Sequence, residues 1–261
     1  MTRRELLDRC AADGDERLLL SRIWDRYDQC ALRGIPSHTE FLSPAEQAAA
    51  RRLMSVMGVH SGFVFFGGYE DAERCQLHFL PEWAEEPDTA AVCALRCRWY
   101  HTEKLTHRDF LGSLMGLGLT REKIGDILVG DESADVLVSD DISAFLLTEW
   151  TQAGRTALRV ERIELPALAV PEKNCRMVRD TVASLRLDSI VSTAFGMSRA
   201  RAAEQIAAGH VQVNWVLCTK SDKPVVQGDT VTLRVFGKCE VDTVGSPTKK
   251  GRYPIGIRRY M

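Results

Sequence analysis

The spacing of hydrophobic positions changes along the chain from a helical period to an alternating one. Near the N-terminus apolar residues recur every three to four positions as far as Gly34, and "FLSPAEQAAARRLMSVMG" repeats that spacing. Ser43 suits the N-cap, Pro44 the first helical position and Gly58 the end of a helix. Residues 1–60 are therefore predicted to form a helical N-terminal domain.

Short alternating segments follow and indicate strands. "GFVFFGGY" and "RCQLHFLP" are the first two. From Ala90 to Leu165 the predicted order is strand, helix, strand, strand, helix, strand, which is typical of ferredoxin-like and RNA-recognition-motif (RRM) folds. Residues 61–180 are therefore expected to form an RRM-like α+β middle domain.

The last part places two short helices before its strands. "LDSIVSTAFG" predicts the first helix, and "SRARAAEQIAAG" predicts a second, capped by Ser198 and ended by Gly209. "HVQVNWVLC" and "DTVTLRVFG" read as strands. Residues 181–261 form the third expected domain, so the whole chain is assigned to the α+β class.

Composition and charge narrow the functional classes. The 261 residues carry a net charge of -2 and eight cysteines without repeated spacing, which are expected to be reduced thiols. No apolar run reaches the roughly 18 residues that span a bilayer, and the charged N-terminus lacks the apolar stretch of a signal peptide, so a cytoplasmic protein without a membrane partner is expected. No cofactor is expected either. From Thr181 onward 12 basic residues stand against 6 acidic ones, whereas the preceding part has 22 against 30. This asymmetry indicates a polyanion site in the last domain.

Two arginines stand at the start of the helix that Ser198 caps. The N–H groups of a helix's first turn lack partners within the helix and carry part of its positive dipole end. Arg199 and Arg201 add planar guanidinium groups that match phosphate geometry. The helix start is therefore predicted to bind the phosphates of structured RNA, and RNA is favoured over DNA because no helix here is long enough to read a major groove.

The stretch "LRLDSIVSTAFGMSRARAAEQIAAGHVQVN", followed by "VVQGDTVTLRVFG", resembles the S-four (S4) domain, the RNA-binding module of the fourth small-subunit ribosomal protein. The R-L-D start, the S-R-x-x-A helix opening, the G-x-V-x-V-N step and the G-D-x-V strand entry all match. The resemblance implies that Asp188 orients Arg186 or caps a helix rather than touching RNA. The RNA face that it implies, with Asp188 in that supporting role, comprises Arg186, Asp188, Ser198, Arg199, Arg201, Gln205, Asn214, Lys220, Arg234 and Lys238.

A second informative stretch, "THRDFLGSLMGLGLTREKIGDILVG", lies in the middle domain. Gly112 and Gly116 are one helical turn apart and are expected to allow close backbone packing. Arg108, Arg121 and Lys123 are expected to remain exposed cations. A tightly packed helix and turn is the favoured interpretation, and a second contact with RNA or between domains is the alternative.

With "GGYEDAER" before it and the S4 motifs after it, this stretch resembles the YlmH family of bacterial RNA-binding proteins. The resemblance extends from "FLSPAEQ" to "GRYPIGIRR". It implies a non-enzymatic role: binding to the large ribosomal subunit, with ribosomal RNA and tRNA contacts, and rescue of stalled subunits in ribosome-associated quality control. It also implies an association with cell division, and the protein is expected to act as a monomer.

Two other stretches partly match known binding motifs. Cys93, Cys97, His101 and His107 give C-x3-C-x3-H-x5-H, but on a strand the two thiols share a face and suit a core, so no metal is expected. "SGFVFFGGY" partly matches the aromatic RNA-binding strand of RRM domains but lacks its leading cation, and a buried strand is favoured.

An enzyme of the pseudouridine synthase type is the alternative function, because such enzymes often carry an S4 domain. Their catalytic aspartate lies in a large separate domain, which this chain is too short to contain, and Asp188 belongs to the S4 motif itself.

The C-terminal "KKGRYPIGIRRYM" interleaves cations with aromatics. It suits either an RNA backbone or an edge strand with a charged outer face.

Overall fold

The computed structural model describes residues 2–100, 104–171 and 175–260. The chain divides into two units, residues 1–171 and 172–261. Within the described ranges, no helix has the length and apolar character needed to cross a membrane. The boundaries of the three expected domains stay a prediction.

Three helices and a three-stranded sheet form the N-terminal part of the first unit. In chain order its elements are α1 (Arg3–Cys10), α2 (Gly14–Arg33), β1 (Ser37–Leu42), α3 (Pro44–Met57), β2 (Phe63–Phe66) and β3 (Cys75–Phe79). The sheet is antiparallel in the order β1-β3-β2. The roles predicted around α3 are confirmed: Ser43 and Glu46 form a reciprocal cap, Pro44 opens the helix, and Gly58 ends it with a φ of 75°. Strand β1 has no counterpart among the sequence predictions.

A four-stranded antiparallel sheet with two helices forms the rest of this unit. Its elements are β4 (Val92–Arg98), α4 (His107–Gly116), β5 (Ile124–Val129), β6 (Ser133–Ser139), α5 (Ser143–Glu149), β7 (Gln152–Ala153), β8 (Thr156–Ala157) and β9 (Arg159–Ile163). The sheet order is β5-β6-β4-β9, and β7 and β8 form a small separate hairpin. This is the ferredoxin-like order, so the predicted RRM-like topology is confirmed.

Both faces of the four-stranded sheet are covered along most of β4. One face packs on α4 and α5 through a cluster that includes Leu95, Phe110 and Leu146. The opposite face packs against residues from the N-terminal part, including Phe41 of β1. A Cβ atom added to Gly125 would lie 2.8 Å from the Phe41 ring, so this contact is tight. RRM domains stack bases on this second face.

The second unit packs two helices on one six-stranded sheet. Its elements are β10 (Cys175–Val182), α6 (Leu187–Phe195), α7 (Arg199–Ala207), β11 (Val211–Val213), β12 (Val216–Leu217), β13 (Thr230–Leu233), β14 (Gly237–Val244) and β15 (Tyr253–Tyr260). The antiparallel order is β10-β15-β14-β13-β11-β12. Its core includes Ile190, Ala202, Ile206 and Val231. The edge-strand interpretation of the C-terminal segment is wrong, because β15 lies between β10 and β14 and pairs with both.

Candidate nucleic-acid interface

The first turn of α7 is exposed and capped as predicted. The Ser198 hydroxyl accepts a hydrogen bond from the Arg201 N–H at 3.2 Å. Ser198, Arg199, Ala200 and Arg201 are all exposed. We call the surface formed by Ser198, Arg199, Arg201 and the neighbouring Arg186 the anion site. Its free backbone N–H groups and guanidinium groups suit a phosphate.

One carboxylate organises two of these arginines. Asp188, in the first turn of α6, is buried, and its Oδ2 accepts from Arg199 Nη2 at 2.9 Å and from Arg186 Nη2 at 3.2 Å. Burial opposes ionisation of this carboxyl group, but the two guanidinium groups outweigh it and hold the pKa of Asp188 below its usual value. The side chains of Arg186 and Arg199 stay 42% and 54% exposed, so each retains donors that face solvent. The orienting role expected of Asp188 is present in the geometry and extends to Arg199.

The turn between β13 and β14 reaches the same end of α7. The Arg201 guanidinium lies 5.8 Å from the centre of the Phe236 ring, which joins this turn to the anion site. Arg234, in the same turn, is exposed and donates its backbone N–H to the His210 carbonyl. Lys238, on β14, has its Nζ 4.8 Å from the centre of the Tyr260 ring. Phe236 therefore joins this turn to the helix start, whereas Arg234 is anchored beside His210, which follows the C-terminal end of α7.

Other residues implied by the S4 resemblance make contacts within their own unit. The Asn214 amide donates to Asp229 at 2.7 Å and accepts from the Thr230 N–H at 2.9 Å, so both ends of that side chain close a turn. Gln205 Oε1 lies 3.0 Å from His210 Nδ1. Their roles in RNA binding stay predictions.

Lys220 lies in the loop after β12. This loop packs on the start of α6, because Asp188 donates its N–H to the Ser221 carbonyl and Leu187 donates to the Lys223 carbonyl. The exposed Lys220 therefore lies in a loop that contacts the start of α6, next to its N-cap residue Arg186. Its role as an RNA ligand also stays a prediction.

The turn beside the anion site contains a residue that sequence reasoning missed. Val235 is 95% exposed and has a φ of 74°. A β-branched side chain is strained in this left-handed region, and such strain is concentrated at functional sites. Nothing in "TLRVFG" indicates it, because the glycine that would be expected at a positive φ comes two positions later.

The cations of the second informative stretch are arranged differently. Arg121 donates Nη1 to the carbonyls of Ile124 at 2.5 Å and Gly125 at 3.1 Å. Burial, with the nearby charge of Arg74, lowers the pKa of Arg121 to about 10. Lys123 Nζ lies 2.7 Å from Glu40 and 2.5 Å from Asp141. The expectation of exposed cations is therefore wrong for Arg121 and Lys123, whereas Arg108 is exposed.

Arg74 completes this arrangement from the loop before β3. Its Nε donates to the Ile124 carbonyl at 2.9 Å, and its Nη2 donates to the carbonyls of Phe41 at 2.9 Å and Arg121 at 3.2 Å. Its backbone N–H donates to Asp126 at 3.0 Å. Burial lowers the pKa of Arg74 despite nearby carboxylates. These bonds connect the N-terminal part of the first unit to its four-stranded sheet, so the cations here are structural.

The glycines of α4 do not support close packing. Among the described residues, no atom outside the adjoining helix backbone would lie within 4 Å of a Cβ added to Gly112 or Gly116. The expectation that they allow close backbone approach is therefore wrong, and nothing in the structure explains them. Both line an open groove of about 470 Å³ together with Arg108 and Trp150.

The cysteines considered for zinc lie in the core of the four-stranded sheet. Cys93 and Cys97 are buried, and burial raises the pKa of both thiols. His101 lies outside the described residues. Among the described residues no group of three or more His, Cys, Asp or Glu side chains is placed to hold a metal ion.

Comparison with known proteins matches family models to the middle of the chain and to its C-terminal part. A family model described as "Putative RNA-binding domain in YlmH" matches residues 100–167, and the S4 domain model matches residues 185–231. The chain is similar to "Ribosome-associated protein quality control protein P2" of Bacillus subtilis (strain 168), with 32% identity over 249 residues that cover 94% of this chain and 95% of the relative.

A solved structure is also similar, namely "Cell division protein ylmH from Streptococcus pneumoniae". It is 15% identical, covers 62% of this chain and 98% of its own, and has a TM-score of 0.51, so it bears on the fold alone. The 32% identity extends through both the matched RNA-binding domain and the S4 domain. This protein is a member of the YlmH family.

Proposed function

We propose that the protein binds structured RNA through the anion site and docks in this way on the large ribosomal subunit, contacting ribosomal RNA and tRNA. Its role is in ribosome-associated quality control, where it acts on stalled subunits. The observation that carries the proposal is the pair of partly exposed arginines held by the buried Asp188 at an open helix start. Arg201, held near Phe236, extends the cationic surface.

Preorganisation is the physical reason that this surface suits RNA. A phosphate contact positions a nucleic acid only when its donors keep their geometry, and a carboxylate shared by two guanidinium groups fixes both. The name of the Bacillus subtilis relative supports the ribosomal setting. The link to cell division stays a prediction.

The proposal includes no catalytic step. Asp188, the aspartate of the "RLD" string, is buried and engaged by two arginines, and it is thereby unsuited to attack a base. Mass mapping of ribosomal RNA and tRNA from a deletion strain tests this point. The expected result is an unchanged set of pseudouridines, and a missing one would favour the enzyme alternative.

The docking proposal is tested with the double variant Arg199→Glu and Arg201→Glu. We expect it to lose co-sedimentation with large ribosomal subunits, because two phosphate donors become repulsive carboxylates. A second variant, with glutamine at both positions, adds no charge next to Asp188. It should lower the slope of log affinity against log salt by about one unit for each arginine.

A matched control reverses two exposed arginines on another helix. Arg4→Glu with Arg9→Glu in α1 changes the net charge by the same amount, and both positions are exposed. This control should sediment with subunits like the wild type, and circular dichroism should show that every variant is folded. Normal sedimentation of the folded anion-site variant would refute the proposal.

A further inference from the structure

The sheet face on which RRM domains stack bases is closed over most of β4. By alternation this face carries Val92, Ala94, Arg96 and Arg98. Val92 and Ala94 are buried in the cluster that includes Phe41. Arg96 makes a bidentate pair with the buried Asp135, with both distances 2.7 Å, and donates to the Ala167 carbonyl. The middle of this face therefore has no room for a base.

The end of the same face is open. Arg98 is the last residue of β4, and its side chain is 57% exposed. Tyr100 follows two positions later and is 89% exposed, whereas the intervening Trp99 is buried. An aromatic side chain with this exposure contributes little to the stability of the fold, since it buries almost none of its surface.

Two arginines lie directly opposite each other beside Tyr100. Arg98 on β4 and Arg159 on β9 are partners in the strand register, so their side chains project from the same face. Like charges at directly opposed positions destabilise a sheet. The surface pair of Arg98 with Glu161, at 3.0 Å, offsets this repulsion only in part. An anion bound between the two guanidinium groups would remove it.

A cavity of about 480 Å³ opens at this point and is large enough for a small ligand. Its wall combines aromatic, aliphatic and cationic side chains. The lining residues are Arg98, Trp99, Tyr100, Ala157, Leu158 and Arg159.

We propose that this cavity binds one unpaired nucleotide of RNA, with the base stacked on Tyr100 and its flanking phosphates on Arg98 and Arg159. An exposed ring offers stacking to any base, and adjacent cations follow the backbone, which is how single-stranded RNA is bound without sequence readout. The inference rests on the proposed function in one respect, that the ligand is RNA. It adds a second site, in the first unit, for unpaired nucleotides.

The test uses the full chain and a short single-stranded RNA that carries one 2-aminopurine, whose fluorescence falls when the base stacks. Tyr100→Ala should weaken binding by about 5- to 150-fold and abolish the quenching, whereas Tyr100→Phe should retain both, because it keeps the ring. Arg98→Gln and Arg159→Gln should each lower the salt slope by about one unit. Unchanged affinity and quenching in Tyr100→Ala would overturn the proposal.

Trp83 provides the matched control. It is an aromatic residue of the same unit that is 69% exposed, but Glu82, Glu85 and Glu86 surround it in sequence. Trp83→Ala should bind the probe like the wild type, and an equal loss in this variant would overturn the specific site. The Arg199→Glu and Arg201→Glu variant separates the two proposals. It should keep the quenching while it loses subunit binding, so each site can fail without the other.

Discussion

Two arginine-bearing segments, the start of α7 and the turn at residues 121–123, look alike in sequence but differ in structure. At α7 a single buried carboxylate serves Arg186 and Arg199, and both arginines remain about half exposed. In the turn, Arg121 donates to two backbone carbonyls, and Lys123 contacts two carboxylates. A cation is available to RNA only if its donors are not already used by the fold. The number of basic residues in a segment does not reveal this.

The largest expected contrast is between Arg74 and Arg201. Arg74→Met should lower the free energy of unfolding by about 4 kcal/mol, because three partly buried hydrogen bonds from a charged donor to carbonyls are lost. Arg201→Met should change it by less than about 0.5 kcal/mol but weaken RNA binding. Urea denaturation followed by tryptophan fluorescence suits the first measurement, because four of the five tryptophans lie in the first unit. Equal stability losses would break the distinction between structural and available cations.

A smaller effect is expected from Asp188→Asn. Loss of the carboxylate should destabilise α6 and α7 by about 1 to 2 kcal/mol at pH 7, a modest cost because both arginines stay partly solvated. Hydrogen exchange of the amides in these helices measures it. RNA affinity should also fall, since Arg186 and Arg199 lose their common anchor.

The same variant has a defined pH dependence. The folded pKa of Asp188 lies below the unfolded value near 3.9, so its contribution is complete above that pH and is lost as the pH falls through the folded pKa. The exchange rates of variant and wild type should therefore converge in acid. A difference that persisted after protonation would show that shape, not charge, explains the role of Asp188.

The smallest effect is expected at Val235. Val235→Gly should raise the free energy of unfolding by about 1 kcal/mol, because glycine adopts a φ of 74° without strain. If the exposed side chain contacts RNA, affinity should fall while stability rises. The matched control is Val226→Gly at an exposed valine that has no positive φ, which should lower stability. Thermal melting of the three proteins distinguishes these outcomes.

Local features of the fold could be predicted from sequence, and long-range contacts could not. Ser43 and Ser198 cap helices as their flanking residues indicate, and the strand and helix order of residues 90–165 gives the observed topology. Strand β1 was missed because its assignment depends on pairing with β3, far along the chain. Lys123 is paired with Glu40 and Asp141, which come from other segments, so no local pattern reveals that this charge is satisfied. Arg121 bonds to carbonyls three and four residues along the chain, but its burial beside Arg74 depends on a distant loop.

The burial of Phe41 against the four-stranded sheet has a practical consequence for anyone expressing parts of this chain. A recombinant fragment that begins at residue 61 would lack this ring and leave Ala94 and Leu137 facing water. Exposed apolar sheet surface promotes self-association, so such a fragment would tend to precipitate. A fragment that ends at Pro171 and keeps the N-terminal helices retains the cover and is the better choice for crystallisation or NMR.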